Sequence, residues 1–302
     1  MITMIIPTRN RAYTLRRVLP TYLSQEKVSE LILVDDDGTD DTAEVLASFA
    51  KSFPRVKCRY LRNDGRRGAS YGRQRGANEA SNEFLLFCDD DEFLEPGYAA
   101  QCLALLDDPR VGAVSGRRVY MRDGEQPEQA VRRFGNGSRR RGYFDYLLMQ
   151  IVNGAHFTGV IEVPFTIANI LTRRDLVLKY PFDTKYAEGN GYREETDYQM
   201  NIYVNGYKIL VTNDVHSIHL PYSEVRTGGQ RIDKWKKFRW SIYYNNYFMD
   251  KYFKSYSKRA KVWYPASGVK YLSVLYLYWK GFMRPAVYNI VTRVIDKRAS
   301  LE

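Results

Sequence analysis

Phe84-Leu85-Leu86-Phe87-Cys88 runs directly into Asp89-Asp90-Asp91-Glu92. An unbroken apolar run of this length reads as a strand buried on both faces, as in the middle of a parallel sheet. Four successive carboxylates at the end of such a strand repel one another. The simplest compensation is a divalent cation, which takes hard oxygen ligands. In open α/β sheets, ligands bind at the carboxyl ends of strands, where the strand order reverses. The junction at Cys88–Asp89 therefore predicts a sheet and a site together.

Similar β-type runs lie on both sides of it, at Thr3–Ile6, Leu31–Val34, Val56–Leu61 and Val111–Ser115. Helical patterns separate them. Leu15, Val18, Leu19, Tyr22 and Leu23 share one helical face, and so do Val45, Leu46 and Phe49 after an Asp-Asp-Thr start. Pro96 opens a third helix carrying Cys102, Leu103 and Leu106. Strand and helix alternating over short links predict an α/β fold, a mainly parallel Rossmann-like sheet flanked by helices. The first strand nevertheless ends in Pro7-Thr8-Arg9-Asn10, without the G-x-G-x-x-G of a dinucleotide site, which disfavours a dehydrogenase.

The second strand ends in a further acid cluster, Asp35-Asp36-Asp37-Gly38-Thr39-Asp40-Asp41-Thr42. Asp40 and Asp41 read as helix caps, whereas Asp36 reads as an acceptor for a base or ribose. After the third strand comes Asn63-Asp64-Gly65-Arg66-Arg67-Gly68, then Arg73, Arg75 and Gly76 at a helix start. Arginines beside glycine turns suit phosphate oxygens, although Arg66, Arg67 and Arg75 read equally well as a solvated basic face. Two acid clusters at neighbouring strand ends, with arginines between them, describe a nucleotide and metal site better than two solvated turns.

Downstream, residues 122–145 read as a hydrophilic excursion, and order resumes over Phe157–Leu171. A polar stretch at Tyr186–Arg193 leads into a helix expected from Glu194 to Val204, with Asn205-Gly206 at its C-terminus. Lys208–Thr212 reads as a strand followed by His216 and His219. Pro221–Arg231 reads as a loop able to close over a ligand. His156 has no assignable role.

In this order, Pro7-Thr8-x-Asn10, Val34-Asp35-Asp36-x-Gly-Thr-x-Asp-Thr, Arg73-Gln-Arg-Gly76, Asp89-Asp90-Asp91 and Glu194-Glu195-Thr-Asp197 resemble the family 2 glycosyltransferases of GT-A fold. The resemblance spans roughly residues 2–220. It implies inverting transfer of a sugar from a nucleotide diphosphate sugar, usually a UDP-sugar, to a hydroxyl of a glycan or lipid-linked acceptor. It assigns Pro7, Thr8, Arg9, Asn10, Asp36, Arg73, Asp89 and Asp90 to the nucleotide, with Thr8 and Asp36 at the base and Asp90 at the ribose. Asp91 and His219 are assigned to Mn²⁺ or Mg²⁺. The pair Glu194-Glu195 resembles the family's Glu-Asp pair, whose second member is the general base. Glutamate replaces the aspartate here, so the base is open among Glu195, Glu194 and Asp197. A nucleotidyltransferase and a catalytically silent nucleotide- or polyanion-binding module are the alternatives.

Among its 302 residues, 46 are basic and 35 acidic, a formal charge of +11 that is unevenly placed. Residues 226–302 carry 17 basic and 4 acidic residues, a net of +13, leaving −2 for residues 1–225. A glycosyltransferase domain is therefore expected over 1–225, with the nucleotide-binding part at 1–115 and the acceptor part at 116–225. A helical, basic and aromatic extension follows over 226–302. Its aromatic stripe around Trp235–Tyr256 reads either as an amphipathic surface on an anionic membrane or as packing against the core or a second subunit. The first reading would give peripheral membrane contact through 235–298, and the second would allow a homo-oligomer. The acid clusters disfavour nucleic acid as a partner. Cys58, Cys88 and Cys102 form no disulfide or metal pattern, and no run reaches the roughly 18–20 apolar residues of a membrane span. With no signal peptide pattern at Met1, the expected location is cytoplasmic, at most peripheral on the inner membrane face.

Overall fold

A computed structural model describes residues 1–135, 142–153, 155, 157–228 and 231–285 of the chain. The described strands are β1 (Ile2–Thr8), β2 (Val28–Asp35), β3 (Lys57–Arg62), β4 (Phe84–Phe87), β5 (Glu92–Leu94), β6 (Val111–Tyr120), β7 (Phe144–Asp145), β8 (Gln150–Ile151), β9 (Val160–Glu162), β10 (Leu171–Arg173) and β11 (Lys208–His219). The helices are α1 (Ala12–Leu23), α2 (Thr42–Ser52), α3 (Ala69–Glu79), α4 (Tyr98–Ala104), α5 (Pro127–Gly135), α6 (Arg174–Lys179), α7 (Glu194–Val204), α8 (Lys234–Ala260) and α9 (Ala266–Tyr278).

The main sheet runs β3-β2-β1-β4-β10-β6-β11-β5, with β9 also pairing on β11. β1, β2, β3 and β4 are mutually parallel, so their carboxyl ends share one edge. β10 enters antiparallel between β4 and β6. Alternate side chains divide between two cores, as strand geometry demands. Ile5, Ile32, Leu85 and Phe87 face one core with residues of α7 and α8. Met4, Ile6, Leu31, Leu33 and Leu86 face the other with α1, α2 and α4.

All five strands expected in the first 115 residues form, and α7 has the expected bounds. Elsewhere the structure goes further than the sequence pattern. β11 continues past the polar Asn213-Asp214, its register against β6 shifting between Thr212 and His216, and so carries His219 to the sheet edge. The hydrophilic 122–145 stretch contains α5, whose Pro127 start, early Glu128 and late Arg132 and Arg133 are ordinary helix-end signals. Residues 136–141 of that stretch lie outside the described residues. α4 starts at Tyr98, after Gly97 in a left-handed conformation, and Leu106 packs from the turn beyond the helix.

α8 decides between the two readings of the aromatic stripe. Tyr244, Phe248, Tyr252, Phe253 and Tyr256 are buried, and Phe248, Tyr252, Phe253 and Tyr256 belong to the first core. They are unavailable to a membrane. Trp235, Tyr243 and Trp263 remain exposed, as do Tyr271, Leu272, Leu275 and Tyr278 of α9. Positions 286–298 of the expected membrane segment lie outside the described residues. No helix among the described residues is long and apolar enough to cross a membrane.

Candidate active site

The carboxyl ends of β1, β2 and β4, the start of α7 and the end of β11 surround one cleft of about 770 Å³. Pro7, Thr8, Arg9, Asn10, Asp36, Arg73, Asp89, Asp90, Asp91, Glu194, Glu195 and His219 all line it. Asp197 does not. One turn further along α7, it is buried beneath α8, where Lys251 Nζ reaches its two oxygens at 2.7 and 2.8 Å. Tyr186 and Tyr252 donate to it as well.

The acid turn after β4 is tightly held. Asn169 spans it, accepting from the Asp89 backbone N–H at 3.0 Å and donating to Glu92 Oε2 at 2.9 Å. Arg73 donates to Asp89 at 2.8 Å through one nitrogen and to Glu194 through another, joining the β4 edge to α7. Arg118, on the unexpected extension of β6, donates to Asp89 at 3.0 Å and pairs with Glu92. Burial acts to raise the Asp89 carboxyl, but Arg73 and Arg118 outweigh it and hold it below its ordinary value. Burial likewise pushes Asp90 up to about 6, against the pull of Arg11 and with added repulsion from Asp91. The Thr8 hydroxyl donates to Asp90 at 2.6 Å, linking the ends of β1 and β4.

Arg11 is the group that sequence reasoning missed most conspicuously. At the start of α1 it donates to Asp90 at 2.5 Å and Asp91 at 2.8 Å, and through its other nitrogens to the Thr227 carbonyl. The 221–228 segment is thereby tied to the acid turn. Its position next to Asn10 was the available signal, but a helix-start arginine carries no distinguishing pattern. Of the expected caps, Asp40 accepts from the Ala12 N–H at 2.8 Å, so it caps α1 instead of its own helix. Asp41 pairs with Arg16. Asp36 accepts from Asn63 at 2.9 Å and from the backbone N–H groups of Arg67 and Gly68 at 2.7 and 2.9 Å, shaping the 63–68 turn. Arg75 is engaged by the Arg62 carbonyl and Asn63, whereas Arg66 lines the cleft.

The donor set suits a divalent cation. Ligand atoms of Asp91, Glu92 and His219 lie within 4.8 Å of one another. His219 Nδ1 is 2.6 Å from the Leu220 carbonyl, which fixes that nitrogen as the protonated one and leaves Nε2 facing Asp91 Oδ1 at 3.7 Å. Two carboxylates and one imidazole form a hard, borderline set appropriate to Mn²⁺ or Mg²⁺. His216 points elsewhere, its Nδ1 2.8 Å from Glu95. His156 lies outside the described residues.

At the opposite wall, Glu194 is occupied by Arg73 and accepts from the Ser70 hydroxyl at 3.2 Å. Among the described residues, no side chain donates to the Glu195 carboxylate, although Gln199 donates to its backbone carbonyl at 3.3 Å. Burial, reinforced by repulsion from Glu194, pushes Glu195 up to about 7. A carboxylate poised near neutrality and open to the cleft can take a proton.

A mainly parallel sheet with acid-tipped strand ends and a metal-type donor set defines an α/β protein with a candidate ligand site at the strand ends. Comparison with known proteins gives the family: the pattern described as glycosyl transferase family 2 matches residues 3–163, and the chain belongs to that family. The chain is similar to the GalNAc(5)-diNAcBac-PP-undecaprenol beta-1,3-glucosyltransferase of Campylobacter jejuni, 33% identical over 97 residues, or 32% of this chain and 31% of that protein. It thus spans about a third of the curated relatives it first matches, which are covered to 31% and 38%. In fold it is similar to TarS 1-349 of S. aureus in complex with UDP-GlcNAc, with a TM-score of 0.59 and 13% identity over 92% of this chain and 72% of that one. It is also similar to the mannosyltransferase PcManGT of Pyrobaculum calidifontis in complex with GDP-Man and Mn2+, with a TM-score of 0.56 and 16% identity over 99% and 79% of the two chains. These structures share the GT-A architecture expected from the sequence.

Proposed function

We propose that the chain is a metal-dependent, inverting glycosyltransferase. It moves a sugar from a nucleotide diphosphate sugar, most simply a UDP-sugar, to a hydroxyl of a glycan or lipid-linked acceptor. The observation that carries this reading is the cleft lined by Asp91 and His219, with the buried Glu92 within ligand distance of both, and by Glu195.

In this reading Thr8, Asn10 and the Asp36-shaped turn at 63–68 receive the base, and Asp90 faces the ribose. Arg9, Arg66 and Arg73, all lining the cleft, supply cations toward the diphosphate. Asp91, Glu92 and His219 would hold Mn²⁺ or Mg²⁺, which supplies electrostatic stabilisation to the departing nucleotide diphosphate. Glu195 accepts the proton of the acceptor hydroxyl as its oxygen attacks the anomeric carbon. Attack opposite to the leaving group inverts the configuration. The high proton affinity of Glu195 suits this task, and Arg73, by engaging Glu194, keeps the neighbouring carboxylate out of competition.

A lipid-linked acceptor draws support from two observations. The C. jejuni relative is named for a PP-undecaprenol substrate. α9 also leaves Tyr271, Leu275 and Tyr278 exposed beside the exposed Trp279 and Lys280, a composition suited to an anionic bilayer surface. Flotation with phosphatidylglycerol vesicles should recover the protein, and Tyr271→Ser with Leu275→Ser should abolish recovery.

The reaction is tested with a panel of nucleotide-sugars and MnCl₂. Release of nucleoside diphosphate and a product of opposite anomeric configuration by NMR is the expected outcome. Release of pyrophosphate would identify a nucleotidyltransferase, and binding without turnover would leave a silent nucleotide-binding module.

A further inference from the structure

Tyr198, Met200 and Ile202 seat the body of α7 in the first core, but its first turn is polar and exposes two acids to the cleft. Around that turn, α8 supplies much of the hold. Trp240, Ser241, Tyr244, Asn245, Phe248, Lys251 and Tyr252 recur at the spacing of one helical face. That face engages the segment 185–197 at successive points.

Gly189 adopts φ +64° with its α-carbon against Trp240, where an added Cβ would sit 2.4 Å from the indole. The Tyr244 hydroxyl donates to the Glu188 carbonyl at 2.9 Å, and Asn190 donates to Ser241 at 2.8 Å. Arg193, in a left-handed conformation at φ +78°, is buried immediately before Glu194. Its guanidinium donates to Asn245 Oδ1 at 2.9 Å and to the Met149 carbonyl at 2.7 Å, and lies over the Phe248 ring at 4.9 Å. Two residues after Glu195, Asp197 receives Lys251. The Glu194–Glu195 pair is thus bracketed by two buried charged residues, each satisfied by α8.

We infer that α8 is a positioning element of the active site, in which Asn245 and Lys251 grip Arg193 and Asp197 and so fix where Glu195 stands in the cleft. The inference rests on the reading of Glu195 as the base. Neither Asn245 nor Lys251 lines the cleft, so both act through α7. Lys251 is partly exposed whereas Asp197 is buried, and their pairing specifies one arrangement, because the unpaired alternative leaves the Asp197 charge buried without a cation. Arg193 at its strained φ works in the same way, since only an anchored side chain keeps that backbone conformation in place.

The test follows Glu195 directly. In protein labelled with [δ-¹³C]glutamate, the Glu195 resonance is identified by its loss in Glu195→Gln, and its titration is read by NMR. Binding of UDP with MnCl₂ is measured calorimetrically on the same samples. Lys251→Met and, independently, Asn245→Leu are expected to lower the Glu195 midpoint by about one pH unit, as the loosened helix admits water. UDP affinity should stay within about twofold. Lys251→Arg and Asn245→Asp, which preserve the contacts, should restore the wild-type titration. An unchanged Glu195 midpoint in both disruptive variants overturns the inference, as does a parallel loss of UDP binding that marks general loosening. If Lys251→Met does not fold, Asn245→Leu decides alone. Failure of the catalytic reading shows up separately, as full turnover in Glu195→Gln.

Discussion

His219 Nε2 stands 3.7 Å from Asp91 Oδ1, although β11 and the turn after β4 are far apart in sequence. The contact exists because β11 runs on past its polar interruption and delivers the imidazole to the acid turn. Calorimetry with MnCl₂ and UDP should therefore show Asp91→Asn and His219→Ala each weakening metal-dependent nucleotide binding by about 10–100-fold. Metal-independent binding of the nucleotide should change much less. Equal affinity in wild type and both variants would remove the proposed donor set.

Glu195→Gln should lower turnover by about 10²–10⁴-fold while leaving UDP affinity intact, the signature of a lost proton acceptor. The base must be unprotonated to act. With Glu195 pushed up to about 7, kcat/KM of the wild type should rise with pH and level off above that value.

The same substitution should stabilise the fold at alkaline pH. A carboxyl that titrates at about 7 when folded and at its ordinary value of 4.5 when unfolded binds more protons in the folded state between those limits. Folding stability contributed by this group is present below pH 4.5 and is lost as pH rises through 7, reaching roughly 1–3 kcal/mol. Denaturant midpoints of wild type and Glu195→Gln should accordingly diverge from pH 5 to pH 8, with the variant higher. Parallel curves would contradict the assignment.

Arg11→Leu deprives Asp90 and Asp91 of their shared cation. Removing one partner of a buried ion pair costs about 3–5 kcal/mol, so the melting temperature without metal should fall. Added MnCl₂ should recover more of the loss than the increment it gives the wild type, since a divalent cation compensates the same carboxylates. A smaller metal-dependent gain in the variant would argue that Arg11 assists the metal instead.

Gly189→Ala should destabilise the protein by about 1–3 kcal/mol in urea unfolding, through overpacking and backbone strain. The methyl group must enter the space held by the Trp240 ring at 2.4 Å, from a backbone at φ +64°. Pairing it with Trp240→Ala should recover part of the steric cost.

The sheet was legible because each strand declared itself locally: Phe84–Phe87 is wholly apolar, and Ile2–Thr8 is nearly so. The acid clusters were legible for the same reason, being contiguous in sequence and expensive to leave uncompensated. Arg11, Arg118 and Lys251 were not. Each acquires its role from a partner far away in the chain, and an arginine or lysine in isolation looks the same whether solvated or buried. The aromatic stripe of α8 carried a correct helical period but no information about what it faced. Its burial depends on α7 and the sheet offering an apolar surface, which only the assembled fold reveals.

The grip of α8 on residues 185–197 also bears on the order in which the molecule comes into being. The chain is synthesised from its N-terminus, and domains fold as their elements become available. β1 to β4 leave the ribosome first, but Arg118, Asn169 and His219, which engage the acid turn, follow later. The carboxylate pair cannot take its working position until residues 240–252 have left the ribosome and docked. On the proposed reading, the wall of the cleft that carries the proton acceptor is therefore fixed only after most of the chain has been synthesised.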